Sequence, residues 1–210
     1  MKRIVYFLLI VALLSITGLS ACAKKPAEES ASVQGLVPAA VAQGPYDSAL
    51  AGAAKAGAKP PTPVPTTSSS SCNAQDSDAA AFAQEVVQLV NAERATAGLD
   101  ALTAQSQLTQ AAQVHSLDMG CNFFLSHTGS DGSTPFDRMD RFGYYFSTAG
   151  ENVAAGYPTP QDVMNAWMNS EGHRANILNA SFTEIGIGYV YNADDPYGGY
   201  YYWTMTLGAP

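Results

Sequence analysis

Ile185-Gly186-Ile187-Gly188-Tyr189-Val190-Tyr191, followed by Tyr200-Tyr201-Tyr202-Trp203-Thr204-Met205-Thr206-Leu207, is the stretch that decides the fold class. Both runs are rich in β-branched and aromatic residues, and Asn192 to Gly199 between them is full of turn-formers, so the pattern predicts an antiparallel hairpin. Upstream the period changes. From Asp78 to Ala97 the apolar positions Phe82, Val86, Leu89 and Val90 fall at helical spacing, and Gly98 ends the run. A second helix is expected from Ser106 to Met119, with Leu108, Ala111, Ala112, His115 and Met119 on one stripe and Gly120 as its stop. Thr134-Pro135 and Thr159-Pro160 each place an N-cap before a proline, with Asp137 and Asp162 suited to the positive helix end. They open a third helix, reaching Phe142 and closed by Gly143, and a fourth through Val163, Met164 and Trp167. Helices followed by strands argue for an α+β domain with helices covering an antiparallel sheet.

The rest of the chain is of another kind. Seven of the 12 prolines precede residue 66, while 18 of the 21 aromatic residues follow residue 71. Residues 23–71 hold 12 Ala, seven Pro, seven Ser and one aromatic, Tyr46, too little apolar surface to offset the entropy of ordering. A tether over 22–71 is therefore expected, with a span of about 40 Å, followed by one domain over 72–210. At the start, Lys2 and Arg3 precede an apolar run from Ile4 to Leu14, the order of a secretory signal over 1–21. Leu19-Ser20-Ala21-Cys22 resembles the bacterial lipobox. The resemblance implies cleavage before Cys22, a diacylglycerol on its sulfur and a protein held on a membrane facing the periplasm or the cell exterior. No Asp follows Cys22, which favours the outer membrane in a cell that has two.

Charge removes one class of function. Between Cys72 and Pro210 there are four Arg, no Lys and 15 Asp plus Glu, a formal charge of −11 that repels phosphate backbones, so nucleic-acid binding is excluded. With Cys22 assigned to lipid, Cys72 and Cys121 form an even pair in an exported chain, and a disulfide is the default over a free thiol or a metal thiolate.

Several short segments then stand in a fixed order. They are Val90-Asn91-Ala92-Glu93-Arg94, His115-Ser116-Leu117-Asp118-Met119, Ser126-His127-Thr128, Gly150-Glu151-Asn152, Trp167-Met168-Asn169-Ser170, Gly172-His173-Arg174-Ala175-Asn176-Ile177-Leu178 and Phe182-Thr183-Glu184-Ile185-Gly186. Over about residues 82 to 208 the chain resembles the CAP superfamily, the SCP-like extracellular domains that include cysteine-rich secretory proteins, antigen 5 and plant pathogenesis-related proteins. The resemblance implies a three-layer α-β-α sandwich. It also implies a cleft with two His and two Glu, which in some members holds a divalent cation such as zinc. Carried over by motif, these are His127, Glu151 and His173. The fourth member fails, because Ser170 stands where the family has its second Glu, and Glu171 one place later would point about 100° away on a continuous helix. Two imidazoles and a carboxylate suit zinc with an open position for water, and equally suit a hydrogen-bonded polar cluster.

Other readings attach to the remaining residues. His115, on an apolar stripe, is expected to pack. Glu151 is expected in a tight Gly-flanked loop, Arg174 and Asn176 as ties to neighbouring carbonyls, and Tyr200 to Tyr202 alternating between core and surface. Asp194-Asp195 lack the spacing of a calcium loop. The function expected is a membrane-anchored binding module for a lipid or envelope component. The alternatives are a hydrolase using the same cleft, or a structural surface protein. Against the hydrolase, the chain has no His-Glu-x-x-His helix, no Gly-x-Ser-x-Gly elbow and no free Cys paired with His.

Overall fold

The computed structural model describes the backbone of Gly52 and Ala53, then Cys72, Ala74 and residues 77–210. The signal segment, Cys22 and the tether, apart from Gly52 and Ala53, lie outside the described residues. Among the described residues there are five helices: α1 (Ala79–Thr96), α2 (Ser106–Asn122), α3 (Pro135–Arg141), α4 (Pro160–Asn169) and α5 (Glu171–Ile177). The strands are β1 (Gly52–Ala53), β2 (Thr103–Ala104), β3 (Thr148–Ala155), β4 (Glu184–Tyr191) and β5 (Tyr201–Ala209), in the sheet order β1-β3-β5-β4-β2. The expected hairpin is β4 and β5, in the register Tyr189↔Trp203 and Ile187↔Met205. β3 pairs antiparallel with β5, and only the two-residue β2 runs parallel, beside β4.

The long strands are buried along nearly their whole length, because helices cover both faces. This corrects the expected alternation of Tyr200 to Tyr202. Tyr202 is buried against α2, Tyr201 packs half-buried on the other face, and only Tyr200, ahead of the strand with a left-handed φ of 44°, is exposed. On one face α1 and α4 close over Ile185, Ile187, Tyr189, Trp203, Met205 and Leu207 with Val86, Val90, Val163, Met164 and Trp167. On the other face α2 and α3 cover Ala149, Val153 and Tyr202 with Leu108, Ala111, Met119 and Met139. The result is the three-layer sandwich that the family resemblance implies.

Glycine sets how close the α2 layer comes. A Cβ on Gly186 or Gly188 would run into the α2 backbone at Leu108 and Ala112. Gly120 does not stop α2. The helix continues to Asn122 and turns at Phe123 with φ 56°, while Gly120 lets Val190 and Tyr202 pack closely, a Cβ there meeting Val190 Cγ1 at 3.1 Å. Cys72 and Cys121 form the expected disulfide, Cα to Cα 5.5 Å, pinning the start of the domain to the end of α2.

Candidate functional site

β3 is the axis of the site, and it corrects the expected loop around Glu151. Glu151 lies mid-strand opposite Thr206 of β5, and neighbouring side chains along a strand alternate between faces. Glu151 therefore shares the α2 and α3 face with Ala149 and Val153, while Asn152 takes the other.

The Glu151 side chain is fully buried, and its two oxygens have separate partners. Oε1 lies 2.9 Å from His127 Nδ1, and Oε2 accepts from Arg138 Nη2 at 2.8 Å. A buried carboxylate is tolerable only when paired and hydrogen-bonded, and Arg138 supplies the counter-charge. A carboxylate oxygen accepts, so Nδ1 of His127 is the donor in this contact, and in that tautomer Nε2 is left as an acceptor. His127 is the partly exposed member of the set, with 15% of its side chain accessible.

The loop that presents His127 is held from three sides. His115, fully buried on α2, donates from Nε2 to the Ser126 carbonyl at 2.7 Å. Burial is the largest influence on His115 and lowers its pKa, so the ring is neutral and its Nδ1 is the unprotonated nitrogen, without a hydrogen-bond partner. Arg138 donates to the His127 carbonyl at 3.0 Å and to that of Ser133 at 3.0 Å. Asp118 of α2 accepts from the Ser130 amide at 2.8 Å. Asp131, hydrogen-bonded by Ser133 and Arg141, has its carboxyl lowered to about 2. Thr134 and Asp137 form a reciprocal capping box that starts α3 and so aims Arg138 inward.

On the other face Asn152 and Asn176 dock α5. Asn176 Nδ2 donates to Asn152 Oδ1 at 2.8 Å and to the Glu151 carbonyl at 3.2 Å, and Asn152 Nδ2 donates to the His173 carbonyl at 3.0 Å. The structure thus brings His127 and Glu151 into direct contact and ties half-buried His173 to the adjacent residue of the same strand. Ser170 and Glu171 lie at the α4 to α5 junction. Ser170 is extended, with φ −99° and ψ 126°, so α4 ends there and Glu171 begins a new helix. The 100° offset of a continuous helix does not apply. Among the described residues, no group of three or more His, Cys, Asp and Glu side chains is placed to hold a metal ion. Glu151 stands behind His127 as the carboxylate that orients it, with both oxygens engaged.

Two residues escaped the sequence reading. Arg138 carries the site's counter-charge, and its signal was its place with Pro135 and Met139 on the inner side of α3 in a domain with so few cations. Arg94, not exposed Arg174, is the tie to carbonyls. It is 1% exposed and donates to the carbonyls of Asp100, Ile177, Asn179 and Phe182. Asp195 likewise belongs to the hairpin. Burial pushes its carboxyl up, but hydrogen bonds from the Tyr202 hydroxyl and the Tyr197, Tyr200 and Gly199 amides hold it below the usual range.

A family model described as the cysteine-rich secretory protein family, CAP, matches residues 87–207. The uncharacterized protein YkwD of Bacillus subtilis (strain 168) is 47% identical over 114 residues, which are 54% of this chain and 44% of the relative. The uncharacterized membrane protein YlbC of the same organism is 33% identical over 50% of this chain and 30% of its own length. The chain therefore spans less than half the length of either relative. A crystal structure of an extracellular protein containing a SCP domain from Bacillus anthracis is 32% identical with a TM-score of 0.56, covering 63% of this chain and 41% of that one. An outer surface protein of Borrelia burgdorferi, 23% identical with a TM-score of 0.54 over 60% of this chain and 90% of its own, shares the fold. No helix among the described residues is long and apolar enough to cross a membrane.

Proposed function

The chain belongs to the CAP, or cysteine-rich secretory protein, family, and from that premise we propose that it is a non-enzymatic binding module of the bacterial envelope whose ligand surface centres on His127. The observation that carries this reading is the buried carboxylate of Glu151, which spends one oxygen on Arg138 and the other on His127 Nδ1. That arrangement fixes one face of the imidazole and leaves Nε2 for a hydrogen-bond donor or a divalent cation on the ligand. A carboxylate behind a histidine is the usual support for a metal-binding imidazole. With Glu151 committed to that role, zinc at His127 would need its other ligands from His173 or from the bound component, and would be weak and easily chelated.

Binding is favoured over hydrolysis by what surrounds the histidine. Among the described residues Ser126 Oγ makes no hydrogen bond to His127 and instead accepts from the Thr128 amide at 3.0 Å, and Cys72 and Cys121 are joined to each other, so neither pairing of nucleophile and base is formed. The lipobox-like segment ending at Cys22 supports anchoring by lipid, and the acidic domain supports a ligand that is not a polyanion.

Retention of the purified full chain, in nonionic detergent, by isolated cell-wall material tests the reading. His127→Ala and Glu151→Gln should each weaken retention roughly tenfold, the scale of one hydrogen bond to a charged or oriented group. Retention unchanged in both variants would refute the ligand surface. Zinc calorimetry on the same proteins reads the metal separately, and heat of equal strength in His127→Ala would remove His127 as its ligand.

A further inference from the structure

A recess lies in the α1 layer, on the face of the sheet away from His127. It has a volume of about 230 Å³ between the N-terminal turn of α1, the loop entering α4 and the turn end of the β4–β5 hairpin. Its walls are the rings of Phe82, Tyr189, Tyr191 and Tyr201, with Asp78 at the rim. Tyr191 and Tyr201 are cross-strand partners with ring centroids 5.1 Å apart, and Phe82 meets Tyr189 edge-on at 5.0 Å. The aromatic wall is thus built by strand register, not by a loop.

Its charge has one sign. Asp78 occupies the N-cap position of α1, yet its carboxylate makes no capping hydrogen bond. Among the described residues, no arginine or lysine lines the recess. Burial, then the neighbouring Tyr201, Asp78 and Tyr191, push the Tyr189 hydroxyl up to about 12. At roughly 30 Å³ per water the volume suits a headgroup or a small molecule, not a chain. Four aromatic rings lining one recess, with a carboxylate at the edge that makes no capping bond, have the chemistry to recognise a cation that has a large apolar surface.

We propose that this recess binds an organic ammonium group, carried either by a free amine or by a lipid headgroup. The proposal stands apart from the His127 surface, on the opposite face of the sheet, and does not depend on it. The attraction combines ring quadrupoles with Asp78, so it requires positive charge as well as shape.

NMR or calorimetric titration of the full chain in nonionic detergent tests this with choline and with 3,3-dimethylbutanol, its uncharged isostere. Choline should bind at millimolar concentration and shift the resonances of Tyr191 and Tyr201, with the isostere at least roughly threefold weaker. Asp78→Asn and Tyr201→Leu should each weaken choline roughly threefold to tenfold while leaving His127-dependent retention unchanged, and Asp78→Asn should leave the thermal midpoint unchanged as well. Equal binding of choline and its isostere, no binding of choline, or indifference to both substitutions would each overturn the proposal. Glycerophosphocholine separates the two sources. Tighter binding than choline identifies a lipid headgroup, and weaker binding identifies a free amine repelled through its phosphate by Asp78.

Discussion

One buried carboxylate, Glu151, organises the polar side of the molecule, and the residues around it differ in how they meet pH. His115 sits behind the His127 loop, fully buried, with a pKa lowered first by burial and further by Arg138, against the opposing pull of Glu151, the Ser126 hydrogen bond and Asp118. Above about pH 6.5 this residue is neutral in both folded and unfolded chains, so it adds no pH dependence there. Below that value the unfolded chain takes up a proton that the folded chain refuses. Stability therefore falls with acidification, by at most about 1.4 kcal/mol per pH unit, until the folded pKa is reached. His115→Gln keeps a donor for the Ser126 carbonyl but does not titrate. The stability of wild type relative to this variant should fall between about pH 7.5 and about pH 5.5, as read by urea unfolding at each pH. A difference that stays constant would show that His115 is already charged, or not buried, in the folded protein.

At the scale of elements, close contact between α2 and the sheet is what the glycines of β4 permit. Gly188 faces the α2 backbone at Ala112, and both surfaces are secondary structure that cannot yield as a flexible side chain would. Gly188→Ala should cost about 3 kcal/mol, the upper range for overpacking, and chemical denaturation would show it as a lower midpoint with an unchanged slope. A loss under about 0.5 kcal/mol would mean that the layers slide apart freely. The same elements explain what was legible in the sequence. α1, α3, α4 and the hairpin announce themselves through apolar period, Thr-Pro caps and turn-rich punctuation. β3 does not. Its segment Thr148-Ala149-Gly150-Glu151-Asn152-Val153-Ala154-Ala155 has one good strand former inside it, because small residues suit a strand squeezed between two helical layers and its polar pair is buried. Glu151 and Asn152 thus read as a loop, although burial of adjacent polar residues on opposite faces is what joins the His127 loop to α5. The His127–Glu151 contact came from family motifs, whereas Arg138 and Arg94 are set by tertiary partners far along the chain, which local spacing does not encode.

For the whole molecule, the proposed lipid anchor has to hold an acidic domain. The Cys72–Cys121 bridge closes a loop of 49 residues and constrains the unfolded chain by about 4 kcal/mol, so Cys72 is held firmly to the end of α2. The anchor itself rests on Leu19-Ser20-Ala21-Cys22, and a formal charge of −11 over residues 72–210 offers no electrostatic attraction to an anionic lipid surface in its place. Acyl chains contribute about 0.8 kcal/mol per buried CH2, enough with two or three chains to hold such a domain against that repulsion. Cys22→Ser removes the sulfur that would carry the lipid. In cells, this variant should leave the membrane pellet for the soluble fraction or accumulate with its signal segment uncleaved, and high salt should not restore it to the pellet. Domain folding should be untouched, with the Cys72–Cys121 bridge still detected in a non-reduced digest. A serine variant that is processed and pelleted like wild type would show that the chain reaches the envelope by some contact of the domain or tether instead of by lipid.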